Sequence, residues 1–166
     1  MSLSRLFRHL CATRAGTRRK FTDAVDASID SAIRAAETRT SGEIRFVIET
    51  ALDIQELWAR LTPRDRAGQV FAHLKIWDTE LRNGVLIYVL AADRDVEIVA
   101  DRAAAARIAP ADWESAARVM EIHFRAGKFA DGALAGVAAV AGLLEREFPA
   151  SRSGDRDELP NQPTLL

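Results

Sequence analysis

Four acidic residues follow the ends of two segments that are typical of β-strands. Glu49 and Asp53 come at and just after the end of the first segment, and Asp93 and Asp95 flank the turn after the second. If the strands are parallel, their carboxyl ends meet at one edge of the sheet, where open α/β sheets bind ligands. Calcium and magnesium need several oxygen ligands, which carboxylates supply. The sequence therefore predicts a Ca or Mg site at this rim.

The same acids also have a simpler interpretation. Aspartates at turns accept hydrogen bonds from their own backbone, and this alone explains Asp93. The local sequence Asp93-Arg94-Asp95 is equally compatible with an ion pair within the turn. Both interpretations stay open at the level of sequence.

A second polar group precedes the second strand and contains Trp77, Asp78 and Asn83. Asn83 stands before Gly84, a pair typical of a turn. Trp77 fits a packing anchor better than a ligand platform. These three residues are candidates for a functional loop, with turn formation and packing as the alternative.

The first twenty residues form a basic leader. Arginines and one lysine supply six positive charges between Met1 and Lys20, and no acid occurs there. Apolar residues recur at helical spacing, so a short amphipathic helix is predicted. Such a helix can lie on an anionic membrane surface; docking on its own domain is the alternative. The candidate membrane contacts are Leu3, Arg5, Leu6, Phe7, Arg8 and Leu10.

Composition narrows the function classes. The chain has 166 residues, a net charge of −1 and a single cysteine. One domain of ordinary globular composition is expected, with no nucleic-acid partner, because no global positive field exists. No secretory signal is visible, since arginines interrupt the early apolar residues, so a cytoplasmic location is expected. Phosphate loops, nucleophile elbows and dinucleotide fingerprints do not occur.

Hydrophobic periodicity predicts the elements that position these residues. Strands are expected at 43–50, 85–92 and 95–100, the second buried on both faces and the third antiparallel to it. The first strand is half polar, so one of its sides should be less covered. Helices are expected at 22–38, at 53–76 with an interruption at Pro63, at 102–108, from Pro110 onward, and at 129–148. The last is too short in its uncharged stretch to span a membrane.

This order predicts a three-layer α/β/α sandwich. Its small mixed sheet combines a parallel crossover with a hairpin and has helices on both faces. The predicted organisation is a basic leader at 1–20, the α/β domain at 21–149 and a disordered tail at 150–166.

One string resembles a known family. Residues 77–89, Trp-Asp-Thr-Glu-Leu-Arg-Asn-Gly-Val-Leu-Ile-Tyr-Val, are followed by Asp-Arg-Asp-Val-Glu-Ile at 93–98. Ser41-Gly42-Glu43 and the segment 124–129 add to the match. Over Phe21 to Phe148 the chain resembles the TPM domain family, which includes a thylakoid-lumen acid-phosphatase-like domain.

The resemblance implies an α/β/α sandwich and several kinds of function. Members are described as an acid phosphatase, as binders of divalent cations and as accessory proteins of membrane complexes. By position, Asp93 matches the family's acid after the central strand and Asn83 its loop asparagine. Glycine usually follows the family's third strand, whereas this chain has Ala100-Asp101.

Two hypotheses follow. In the first, the chain is a non-catalytic TPM-type module that binds an unknown protein partner and is peripheral on the inner membrane surface. In the second, it is a phosphatase acting on phosphomonoesters, in which Glu49, Asp93 and Asp95 hold a divalent cation that activates water.

Overall fold

The computed structural model describes residues 2–150 and 158–166 of the chain. Its central sheet has four strands in the order β3-β2-β1-β4. The strands are β1 (Ile44–Glu49), β2 (Val85–Leu90), β3 (Asp95–Ala100) and β4 (Thr164–Leu165). β1 and β2 are parallel, with Ile44 opposite Val85 and Glu49 opposite Leu90. β3 is antiparallel to β2, so the predicted crossover and hairpin are both confirmed.

Eight helices surround the sheet within the described residues. They are α1 (Leu3–Cys11), α2 (Arg14–Arg18), α3 (Asp23–Glu37), α4 (Ile54–Trp58), α5 (Pro63–His73), α6 (Arg102–Arg107), α7 (Pro110–Arg125) and α8 (Phe129–Glu147). Pro63 stands in the first turn of α5, as expected, where its missing N–H costs nothing. Among these residues, no helix has the length and apolar character needed to cross a bilayer.

Alternation along the strands divides the core into two layers. Side chains such as Phe46 and Ile87 pack against α3, α6, α7 and α8, whereas Val47 and Tyr88 pack on the opposite face against α4 and α5. α1 joins this second layer through Leu6. The three-layer α/β/α architecture is therefore confirmed.

The small residues of α8 let it pack closely on α7. A Cβ added at Gly136 would lie 2.1 Å from Met120 Sδ, and one added at Gly132 would lie 2.7 Å from the Phe124 ring. A side chain at either position would force the packed residue of α7 to move. The interpretation of α8 as a core helix is confirmed, because seven of its residues are buried.

The expectation of a disordered tail is wrong for residues 158–166; residues 151–157 of that tail lie outside the described part of the chain. β4 pairs in parallel with β1, placing Val47 opposite Thr164. The buried Arg45 guanidinium donates to the carbonyls of Pro160 and Gln162 and to Thr164 Oγ1. Burial lowers the pKa of Arg45.

The expectation that β1 has a less covered side is also wrong, because all six of its residues are buried. Its polar side chains form hydrogen bonds within the protein rather than with water. The Glu43 carboxylate, just before the strand, accepts from the backbone N–H of Leu159 at 3.1 Å. The tail and α5 therefore cover the side that alternation left polar.

Candidate functional site

Glu49 lies in a closed hydrogen-bonded cluster on the α5 face of the sheet. Its carboxylate accepts from Arg66 Nη2 at 2.7 Å and from Arg66 Nε at 2.9 Å. The buried Tyr88 hydroxyl donates to Glu49 Oε2 at 2.5 Å. Burial, and then the hydrogen bond to Glu49, raise the pKa of Tyr88. The hydrogen bonds that Arg66 donates to Glu49 raise the pKa of Arg66. The carboxylate is satisfied by this cluster.

Asp93 lies in a second cluster, which the leader builds. Arg5 Nε donates to Asp93 Oδ2 and Arg8 Nη2 donates to Oδ1, each at 2.9 Å. Burial alone would raise the pKa of Asp93, but the hydrogen bonds from Arg8 and Arg5, together with the adjacent His9 ring, outweigh it and hold the pKa below its ordinary value. Asp93 therefore stays ionised as the anchor of α1.

His9 completes the second cluster from a buried position. The backbone N–H of Leu52 donates to His9 Nδ1 at 3.0 Å, so this nitrogen carries no proton. The ring proton is then on Nε2, which lies 3.2 Å from Asp93 Oδ2 but off the axis of a good hydrogen bond. Arg5, Arg8 and His9 are spaced i, i+3 and i+4, so all three face Asp93 from one side of α1.

Asp53 and Asp95 have different local roles. Asp53 is exposed and caps α4, accepting from the Glu56 backbone N–H at 2.9 Å while the Glu56 carboxylate accepts from its own N–H at 2.8 Å. Asp95 Oδ1 is buried with no hydrogen-bond partner among the described residues. Burial, with the charges of Glu97, Glu121 and Asp93, raises the pKa of Asp95 to about 6.

The structure does not gather the four predicted acids into one metal site. Within residues 2–150 and 158–166, no group of three or more His, Cys, Asp or Glu side chains is arranged to hold a metal. Glu49 pairs with α5 and Asp93 pairs with α1, two helices on the same face of the sheet. Each carboxylate is therefore already occupied by arginine donors. The donors present therefore do not fit a Ca or Mg ion, because its ligand oxygens would first have to lose these bonds.

The loop candidates before β2 have structural positions. Asn83 is buried, and its Nδ2 donates to the Ser41 carbonyl at 2.7 Å, which fixes the loop before β2 to the entrance of β1. Gly84 is needed beside it because an added Cβ would lie 2.2 Å from the Ile76 carbonyl oxygen. Trp77 and Asp78 are exposed, so Trp77 is not the buried packing anchor that the sequence favours.

The predicted membrane contacts divide into two groups. Arg5 and Arg8 point to Asp93, and Leu6 is half-buried against the α5 layer. The remaining side chains are exposed: Leu3 by 84%, Phe7 by 68% and Leu10 by 61%. The arginine partners of Glu49 and Asp93 were not predicted from the sequence. The spacing of Arg5, Arg8 and His9 was a usable signal for the leader, but Arg66 lies within α5 with no distinguishing pattern.

The layered architecture and the Asn83-Gly84 loop before β2 define a small α/β/α module. Ion pairs occupy the carboxylates at the rim of its sheet. A profile of the TPM domain matches residues 18–143. The chain belongs to the TPM domain family.

One solved structure is similar to the chain over most of its length. The chain is 34% identical to the BA42 protein of the psychrophilic bacterium Bizionia argentinensis, whose structure was determined by NMR. The similarity covers 87% of this chain and 94% of that one, with a TM-score of 0.76. No curated protein sequence matches the chain.

Proposed function

We propose that this TPM-domain chain is a non-catalytic interaction module that contacts an anionic membrane surface, on the cytoplasmic side, through α1. The supporting observation is the orientation of that helix. Its cationic side is attached to Asp93, and its apolar side, carrying Leu3, Phe7 and Leu10, is exposed to solvent. An attached helix presents these side chains in a fixed arrangement, so less ordering entropy is lost on contact.

The neighbouring helix α4 also carries exposed apolar side chains. α4 lies between Leu52 and Leu61, and α1 binds both: His9 accepts from the Leu52 N–H, and Arg5 donates to the Leu61 carbonyl. α4 itself exposes Ile54 by 52% and Trp58 by 70%. Tryptophan is favoured at membrane–water interfaces, where an apolar ring meets a polar boundary.

The free energy expected from burying these side chains suits a reversible membrane contact. Burying a large apolar side chain contributes about 1.5–3 kcal/mol. Three to five partly buried side chains therefore supply the binding strength of a peripheral contact, well below that of a spanning helix. If this surface binds a protein partner instead, that partner should bind the chain in the absence of lipid.

Vesicle co-sedimentation of the full chain tests the proposal. The variant Leu3→Ser/Phe7→Ser/Leu10→Ser should lose pelleting with vesicles of phosphatidylcholine and phosphatidylglycerol. The matched control Leu81→Ser/Val119→Ser/Ile122→Ser removes three exposed apolar side chains elsewhere and should pellet like the unaltered protein. Equal pelleting of both variants would refute the membrane contact. Substitution is preferable to truncation, because removing α1 would uncover Asp93 and Leu52.

The phosphatase hypothesis stays a prediction with less support. It requires Asp93 as a metal ligand, and the two oxygens of Asp93 are occupied by Arg5 and Arg8. Hydrolysis of a phosphomonoester by the full chain, compared with Asp93→Asn, separates the two hypotheses. Activity that disappears in this variant while folding is retained would favour the phosphatase.

A further inference from the structure

A cavity of about 680 Å³ lies beyond the carboxyl ends of β1 and β2. Its floor is formed by Thr50 after β1 and by the turn after β2. Its opposite wall comes from α1, α2 and the segment that follows them, including Phe7 and Cys11. Much of this wall precedes residue 18, where the family match begins.

The lining of the cavity is strongly cationic. Arg8, Arg19, Lys20 and Arg94 face one acid, Asp93. That acid already pairs with Arg8 and with Arg5, which approaches from outside the cavity. In the part of the chain that the structure describes, no carboxylate pairs with the other three cations. Lys20 instead has an aromatic contact, with Nζ 5.0 Å from the centre of the Phe129 ring.

Two of these cations, Lys20 and Arg94, lie near enough for their charges to act on each other. Burial, and then the positive charge of Arg94, lower the pKa of Lys20. Arg94 also adopts a φ of 53°, which is unfavourable for a residue with a side chain. Concentrated positive charge without a counter-charge is destabilising, and a bound anion would relieve the repulsion.

Hydroxyl groups add neutral donors to the same cavity. Thr50 is 7% exposed, and its Oγ1 has no hydrogen-bond partner within residues 2–150 and 158–166. Thr13 and Thr17 also line the cavity. A buried hydroxyl without a partner is uncommon in folded proteins, and an anion oxygen would satisfy it.

We propose that this cavity binds a phosphate group. Arginine, lysine and hydroxyl donors together match the several acceptor oxygens and the double charge of a phosphate. The cavity is larger than inorganic phosphate, so it has room for an attached organic group, and the exposed ring of Phe7 lies beside it. That group belongs either to a soluble phosphate ester or to a lipid headgroup, and binding requires neither hydrolysis nor membrane contact.

The first test is a titration of the full ¹⁵N-labelled chain with inorganic phosphate at constant ionic strength. Amide signals of Thr17, Thr50, Ala92 and Arg94 should shift together along one saturating curve. The variant Lys20→Gln/Arg94→Gln, whose side chains are exposed, should bind about tenfold more weakly, because two charge-assisted donors are lost.

The matched control is Arg82→Gln/Arg102→Gln. Both arginines are exposed, lie near the opposite ends of the strands, and include a residue with the same φ as Arg94. This control carries the same net charge as the test variant and should bind like the unaltered protein. Equal weakening in both variants, or shifts spread over the whole surface, would mean general charge screening and would overturn the proposal.

Cys11 supplies a measurement that needs no variant. It is the single cysteine of the chain, it is exposed, and it lines the cavity. Phosphate should slow its reaction with N-ethylmaleimide over the same concentration range as the amide shifts. An unchanged rate at saturating phosphate would contradict binding in this cavity.

The two ligand sources are separated by vesicles containing phosphatidic acid. If the lipid headgroup is the ligand, Lys20→Gln/Arg94→Gln should bind these vesicles more weakly than Arg82→Gln/Arg102→Gln. If both bind alike while inorganic phosphate still distinguishes them, the ligand is a soluble phosphate ester. Leu3→Ser/Leu10→Ser, which leaves the cavity-lining Phe7 in place, should weaken the vesicle contact and retain inorganic phosphate binding, so failure of the membrane proposal remains distinguishable from failure of this one.

Discussion

Two carboxylates at the same rim of the sheet are neutralised by different parts of the chain. Glu49 is paired with Arg66 of α5 and bonded by Tyr88 of β2, all within the family region. Asp93 is paired with Arg5 and Arg8 of α1, a helix that precedes the family region. Glu49 therefore belongs to the core of the domain, whereas Asp93 acts as the attachment point of the leader.

Acidic residues at the ends of neighbouring strands can therefore have different structural roles. Loss of the Glu49 cluster would leave charge buried inside the domain. Loss of the Asp93 cluster would free a helix whose removal leaves most of the core in place. Substitutions in the two clusters should therefore differ in their effect on stability.

Arg66→Ala should lower the free energy of unfolding by about 3 kcal/mol, because it leaves the Glu49 carboxylate buried without its cation. Urea denaturation followed by circular dichroism measures the change. Arg102→Ala, which removes an exposed arginine from α6, should change the value by less than about 0.5 kcal/mol. A loss of under about 1 kcal/mol for Arg66→Ala would show that the cluster is not part of the stabilising core.

Arg5→Ala/Arg8→Ala should release α1 at a cost of about 1–2 kcal/mol, since two partly exposed ion pairs are lost. Hydrogen exchange should rise in α1 and stay low in β2. The intact helix should also be released in acid, because the lowered pKa of Asp93 gives stability that is present above its unfolded value and lost as pH falls through the folded one. Protection of α1 that persists in the variant would place its attachment elsewhere.

Asp95→Asn should stabilise the protein at pH 8 by about 1 kcal/mol, after allowance for solvent screening. The folded pKa of about 6 lies above the unfolded value of 3.8. Ionisation of Asp95 therefore costs stability, and this cost disappears as pH falls from 6 towards 4. Thermal melts at pH 8 and pH 4 should show the gain only at the higher pH; equal gains would assign it to another cause.

Asp53→Ala should cost about 0.5–1 kcal/mol, the usual effect of losing an N-cap. Chemical denaturation should detect a small uniform loss, and Asp53→Asn, which retains a capping oxygen, should recover most of it. A loss as large as that of Arg66→Ala would mean that Asp53 carries more than a helix cap.

Periodicity was sufficient for the architecture. The alternation in Ile44-Arg45-Phe46 and the continuous apolar run of β2 gave the strands their faces, since side-chain direction follows directly from sequence position. Pro63 and Asn83-Gly84 marked boundaries for local steric reasons. These features depend on neighbours in the chain, which a single sequence displays.

The partners of the polar side chains depend on distant contacts and were not predictable in the same way. Arg45 finds its acceptors near residue 160, and Asp93 finds its cations near residue 5. A carboxylate at a strand end has the same appearance whether a metal, an arginine or water will neutralise it. Ordering of the last nine residues was missed because their polar, proline-containing composition gives no sign of the buried guanidinium that holds them.

β4 has a consequence for self-association. Only two residues long, it occupies the outer edge of β1, where unpaired N–H and C=O groups would otherwise accept a strand from another molecule. The hydrogen bonds that Arg45 donates hold β4 and the residues before it in place. Loss of these bonds would leave the outer edge of β1 open to pairing with a strand of another molecule, so we expect a substitution at this one buried arginine to promote self-association.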